Sequence, residues 1–177
     1  LIATGNSLHL DVAIVMGRWF ATNGTNLVEL QPFTNTVLIT HTIPQANSLG
    51  TGPDNKLYIA NTKAYRVHPN TGAVTLITDL PAGHSSSGDI AFLGKRMFVS
   101  TNSDCGGSLV EVDVDKKDSW VLGGDGLGCV YGLATVNNQL IILNCDGKVG
   151  TFDPDTGIAQ ILTTSAGLVV YGAEALP

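Results

Sequence analysis

Val149-Gly-Thr-Phe-Asp-Pro-Asp-Thr-Gly157 joins a short apolar run to a turn of Asp, Pro, Thr and Gly, and three more copies of this phrase precede it in the chain. They are Leu27-Val-Glu-Leu-Gln-Pro-Phe-Thr-Asn35, Tyr65-Arg-Val-His-Pro-Asn-Thr-Gly72 and Leu109-Val-Glu-Val-Asp-Val-Asp-Lys-Lys117. A phrase that recurs at near-constant spacing marks one supersecondary unit copied along the chain. Pro32, Pro69 and Pro154 preset φ, and Gly72 and Gly157 supply the positive φ that closes a hairpin. In the third copy Val114-Asp-Lys-Lys117 stands in place of that turn, so this copy reads as divergent.

The last apolar residue before each turn is Leu30, Val67, Val112 or Phe152, giving spacings of 37, 45 and 40 residues. That is the length of one four-stranded blade of a β-propeller. A helical repeat is excluded locally, because the apolar residues alternate or run briefly between Gly, Asn, Asp and Pro without an i, i+3, i+4 pattern. The expected fold is therefore all-β, a β-propeller of about four blades of roughly 40 residues plus the inner strand of a fifth. The blades are expected at 6–45, 46–83, 84–126 and 127–167, with the extra strand at 169–177. That strand is read from Val170-Tyr-Gly-Ala-Glu-Ala-Leu-Pro177, which echoes Val130-Tyr-Gly-Leu-Ala-Thr-Val136. Leu1 to Gly5 read as a mirror remainder. A compact four-bladed ring, a piece of a longer propeller and an arc completed by a second copy are all compatible with this pattern; the favoured reading is the piece.

A chain of 177 residues with 44% apolar content buries a core as one unit. Charged residues make up only 14%, well under the usual level of about 25%, so Thr, Asn and Ser carry the surface polarity. The formal charge of −6, with only Lys95-Arg96 and Lys116-Lys117 as adjacent cations, excludes nucleic acid, which requires clustered Lys and Arg. No apolar run reaches membrane-spanning length. With neither an initiator Met nor a signal peptide, the chain reads as a mature or excised segment.

The candidate site residues lie on one face of the blades, where the loops entering the inner strands meet the hairpins between second and third strands. Cys129, Cys105 and Cys145 all map there, and a disulfide of Cys129 with Cys105 or Cys145 is geometrically reasonable. His84-Ser-Ser-Ser-Gly-Asp89 enters the third inner strand; it reads as a capped polar loop, since sequence proximity does not make a catalytic triad. Asp11 and Asp89 share one repeat position, suited either to a cation in the channel or to backbone hydrogen bonds between blades. Tyr131 and Tyr171, each before a Gly, are placed to stack a ligand at the channel mouth or to pack between blades. Asp104, Asp125 and Asp146 sit in Gly-containing loops that read as turns. Asp104 and Asp146 are weak metal candidates, and calcium is the cation such loops suit, although no dedicated Asp-x-Asp-x-Asp-Gly spacing occurs. Asn23-Gly-Thr25 fits a glycosylation acceptor.

Gly88-Asp-Ile-Ala-Phe92, Leu57-Tyr-Ile-Ala60, Phe152-Asp-Pro-Asp-Thr-Gly157 and Val130-Tyr-Gly-Leu-Ala134 together give the chain a likeness to known repeats. It resembles the secreted bacterial β-propeller proteins of the NHL, YVTN and SMP-30-like groups over nearly its whole length. The resemblance implies a secreted, periplasmic or cell-surface propeller that binds a protein, glycan or small ligand at its loop face. SMP-30-like enzymes are calcium-dependent lactonases, but their channel Glu has no counterpart at the inner-strand positions, so that activity is not carried over. The expectation is a noncatalytic binding or scaffolding module with no assigned catalytic residue and no required cofactor. Its ligand contacts are expected at His84, Asp89, Tyr131, Tyr171 and Asp11. A metal-dependent hydrolase or lactonase and a structural module that completes its ring by self-association are the alternatives.

Overall fold

The computed structural model describes residues 10–34, 36–103, 106–123, 128–165 and 173, and the regular structure among them is entirely β. Four antiparallel sheets follow one another, each with its strands in chain order. Blade 1 holds β1 (Asp11–Val15), β2 (Arg18–Thr22), β3 (Asn26–Leu30) and β4 (Val37–Thr42). Blade 2 holds β5 (Ser48–Thr51), β6 (Leu57–Ala60), β7 (Lys63–Val67) and β8 (Val74–Asp79). In blade 3 come β9 (Ser85–Leu93), β10 (Arg96–Ser103), β11 (Gly106–Asp113) and β12 (Asp118–Gly123). Blade 4 is β13 (Val130–Val136), β14 (Gln139–Asn144), β15 (Lys148–Asp153) and β16 (Ile158–Thr164). The all-β propeller expected from the repeat is the observed fold.

Local chemistry explains the hairpins. Met16-Gly17 and Asn137-Asn138 each place two consecutive residues at positive φ, 52° and 74° in the first pair and 50° and 61° in the second. This is the two-residue turn whose twist matches that of paired strands. In the turns from third to outer strand, the Gly72 amide bonds the His68 carbonyl at 2.9 Å and the Gly157 amide the Asp153 carbonyl at 2.8 Å. The third copy departs less than its sequence implies. Lys117 takes φ 58° where the second and fourth copies have Gly, and its amide bonds the Asp113 carbonyl at 2.8 Å. Asp113 also accepts the Lys116 amide at 2.8 Å through Oδ1, so the Asp side chain holds the turn and the left-handed residue follows.

The core consists of apolar layers between blades. Ala13, Phe20, Leu27, Leu49 and Ile59 fill the layer between blades 1 and 2. Tyr58, Ile77, Ile90, Val99 and Val110 fill the next, and Phe98, Leu109, Leu133, Ile142 and Phe152 the last. Each large side chain so buried stabilises the fold by about 1.5–3 kcal/mol. The inner strands pack in series, β1 beside β5, β5 beside β9 and β9 beside β13. Among the described residues no comparable packing joins β13 to β1, and β16 leaves Ile158, Ile161 and Leu162 exposed. Among the described residues no helix is long and apolar enough to cross a membrane. The expected strand at 169–177 lies outside the described residues except for Ala173, and Leu1 to Gly5 lie outside them altogether.

Candidate functional site

Asp11 and Asp89 occupy equivalent places on β1 and β9, and both are interior: Asp89 is 0% exposed and Asp11 4%. Asp11 accepts the amide of Val12 at 2.8 Å with one oxygen and that of Leu49, on the next blade, at 2.7 Å with the other. Asp89 repeats the pattern on Ile90 and Leu133, both at 2.7 Å, and its Oδ2 also accepts the Ala173 amide at 2.7 Å. Both carboxylates thus meet their hydrogen-bonding capacity with backbone amides inside the fold. Threonines on the following blade lock the same strands, Thr51 to the Ile14 carbonyl at 2.9 Å and Thr135 to the Phe92 carbonyl at 2.7 Å. Of the two roles open to these aspartates in the sequence, the geometry displays bracing between blades.

His84 enters β9 on the loop face, where its Nδ1 lies 3.1 Å from Ser108 Oγ and 3.3 Å from Thr101 Oγ1. Those hydroxyls are 2.9 Å apart, and the Thr101 hydroxyl reaches the Ser108 carbonyl at 3.1 Å. The cluster follows from register: Thr101 pairs with Ser108 on one side and with Ser86 on the other. Cross-strand partners share a face, so Ser86, Thr101 and Ser108 form a buried hydroxyl row across blade 3 beneath His84. Three nearby oxygens, Ser86 Oγ, Asn47 Oδ1 and Asn102 Oδ1, are buried without a hydrogen-bond partner, which calls for a donor such as a water or a ligand N–H or O–H. The sequence singled out His84 but missed Thr101 and Ser108, because the row depends on pairing across a bulge between Val99 and Thr101. The spacing of Ser86, Thr101 and Ser108 carried no local signal.

A Ser–His contact acts as a nucleophile and base when a third group orients the imidazole. Among the described residues no carboxylate touches His84, and Ser108 is buried. What the cluster does is fix the half-buried imidazole of His84 at the loop face.

The other expected site residues are spread apart. Tyr131 is half-buried in β13, one blade from His84, while Tyr171, Asp104 and Asp125 lie outside the described residues. Asp146 is exposed and pairs with Lys148 at 3.6 Å. No group of three His, Cys, Asp or Glu side chains able to hold a metal occurs among the described residues. Asn23 Oδ1 accepts the Asn26 amide at 3.0 Å and so shapes its hairpin. Cys129 and Cys145 are neighbours across β13 and β14, with the Cys145 amide bonding the Cys129 carbonyl at 2.8 Å, yet both are free thiols. The expected disulfide is therefore not formed between these two, whose thiols meet as hydrogen-bonding partners; Cys105 lies outside the described residues. Burial, and then the Cys129 thiol, push the Cys145 thiol up.

No family model matches the chain, and no curated protein matches it by sequence. Its fold is nevertheless common among solved structures. A chain of the nidogen/laminin complex superposes with a TM-score of 0.71 at 12% identity, over 96% of this chain and 69% of that one. The extracellular domain of a putative one-component system from B. thetaiotaomicron, BT4673, gives 0.61 at 13% identity over 92% of this chain and 24% of its own. The tricorn protease gives 0.57 at 13% identity, over 87% and 16%. At these identities the likeness establishes a β-propeller fold.

Proposed function

We propose that this chain is a noncatalytic, extracytoplasmic binding module whose loop face holds a neutral, hydrogen-bonding surface of a protein or glycan. The observation that carries the reading is His84, half-buried at the loop face and held in place by the hydroxyls of Ser108 and Thr101. A low charged fraction and a loop face built from Ser, Thr, Asn and His favour contacts made by hydrogen bonds. Rigid blades position variable loops for this kind of recognition. Two of the propellers similar in fold are a component of a protein complex and an extracellular domain.

The test is a labelled preparation of the chain applied to a glycan array and to a panel of extracellular proteins, repeated with His84→Ala and with Tyr131→Ala. Selective binding that drops at least tenfold in both variants, with unchanged melting temperature, supports the placement. Binding that survives both substitutions overturns it. Stoichiometric divalent metal in the purified protein would favour the hydrolase reading instead. A structural reading, in which a second copy covers the open blade, draws on the exposed Ile158, Ile161 and Leu162 of β16. A strict monomer in solution removes that reading.

A further inference from the structure

On the face opposite the loops, the blades are stapled by arginine. Arg18, at the start of β2, lies over the Phe20 ring at 5.0 Å and grips Glu29 through Nε and Nη2 at 2.8 and 2.6 Å. Its Nη1 then reaches Asn70 in the turn of blade 2. Arg96 repeats the arrangement: over Phe98 at 5.3 Å, on Glu111 at 2.7 and 2.8 Å, and across to Asp155 in the turn of blade 4 at 2.6 Å. Each staple thus needs an Arg, an aromatic ring, a Glu opposite the ring and an acceptor on the following blade.

Between blades 2 and 3 the same positions are differently filled. Lys56 stands at the Arg position, Tyr58 at the ring and Arg66 opposite it, at the place of Glu29 and Glu111. The acceptor position is Asp115, three residues beyond Val112 as Asn70 is beyond Val67 and Asp155 beyond Phe152. Where the other two junctions hold a guanidinium, this one has a cleft of about 440 Å³, floored by Tyr58 and Phe92 and walled by Asp54, Arg66, Lys95 and Asp115. The two rings meet edge to face at 4.8 Å. Asp54 and Arg66 face each other at 3.7 Å, and Arg96 and Glu111 belong to the neighbouring staple. Among the described residues neither Lys95 nor Asp115 has an ion-pair partner, which leaves one cation and one anion uncommitted around an aromatic floor.

We propose that this cleft binds a ligand carrying a guanidinium on an aliphatic stem, with the guanidinium over Tyr58 and against Asp115 and a carboxylate at its other end towards Lys95. The chain itself supplies the precedent, because the residues equivalent to Asp115 hold guanidinium groups at both other junctions. A planar fork over an aromatic face suits guanidinium better than ammonium. The source is either a C-terminal arginine of a partner protein or a free arginine-like molecule. This site lies on the face opposite the loops and stands independently of the binding proposed there.

The probe is N-acetyl-arginine, titrated into the ¹⁵N-labelled chain and followed by the amide signals of Tyr58, Lys95 and Asp115. A saturable shift that weakens at least tenfold in Asp115→Asn and vanishes for N-acetyl-citrulline is expected. A peptide ending in arginine that binds at least tenfold more tightly than N-acetyl-arginine assigns the source to a protein. Agmatine, which lacks the carboxylate, should bind at least threefold more weakly; equal binding overturns the role of Lys95. The double substitution Lys56→Arg/Arg66→Glu should build the third staple, abolish the shifts and preserve or raise the melting temperature. No saturable shift in the native chain, or equal binding of the citrulline compound, overturns the proposal.

Discussion

Two kinds of blade junction alternate along this chain. From blade 1 to 2 and from 3 to 4, an inner-strand Asp, a Thr and an arginine staple lock the sheets at both the axis and the outer turns. From blade 2 to 3 there is no staple. Backbone contact is close at Gly50, where an added Cβ would stand 2.5 Å from the Ile90 carbonyl oxygen, as it is at Gly107 against Gly128 in the third junction. The inner strands are also linked there by Asn47 Nδ2 donating to the Ser86 carbonyl at 2.6 Å. The difference lies in charge: a guanidinium crosses the first and third junctions, whereas the second is crossed by neutral hydrogen bonds, Asn47 to Ser86 and Ser119 Oγ to the Asp79 carbonyl at 2.7 Å.

The largest effect should come from breaking a polar junction. Asp89→Ala leaves the Ile90, Leu133 and Ala173 amides without their acceptor and is expected to cost about 3–5 kcal/mol in chemical denaturation. A cost near zero would mean that the carboxylate does not brace the blades. Next comes the unstapled junction: Gly50→Val should cost about 2–3 kcal/mol by forcing backbone apart, and amide exchange should quicken on β5 and β9 before it does on β1 or β13.

The same contrast sharpens with pH. Burial, with Asp54 close behind, pushes the Tyr58 hydroxyl up to about 12, while the equivalent rings at the stapled junctions are Phe20 and Phe98. The folded value lies above the unfolded one, so this contribution is complete below about pH 10 and is lost as pH rises towards 12, on the order of 2 kcal/mol. Tyr58→Phe should remove that alkaline loss; an unchanged alkaline limb would refute it. On the acid side, Arg18 holds Glu29 below its ordinary range. Its contribution is present at neutral pH and lost as pH falls through the folded value, which loosens the first stapled junction. The smallest effect concerns the turn of blade 3. Lys117→Gly should stabilise by about 1 kcal/mol, because a left-handed φ burdens a residue with a Cβ.

The repeat phrase made the strands legible because their ends are written in Pro, Asp, Asn and Gly, whose backbone preferences are local. The equal standing of Asp11 and Asp89 was legible for the same reason, since both fall at one repeat position. The staples were not read, although Arg18 and Arg96 recur two blades apart with Phe20 and Phe98. Recognising them requires knowing that an outer turn swings against the preceding blade, as Asn70 and Asp155 do. The hydroxyl row was hidden more deeply. Ser86, Thr101 and Ser108 become neighbours through strand register, and a bulge in β9 and β10 sets which residues share a face. The turn at Val114-Asp-Lys-Lys117 shows the opposite error, a change in sequence that the backbone absorbs through Asp113 and Lys117.

Gly50 also governs how closely two blades approach. Blades are wedges, and the angle of each wedge grows as neighbouring inner strands approach while the outer strands keep their spacing. By admitting the Ile90 backbone so closely, this position lets the inner strands of blades 2 and 3 come into backbone contact. A bulkier residue there would hold these two strands apart, so one missing side chain sets how tightly blades 2 and 3 meet at the axis.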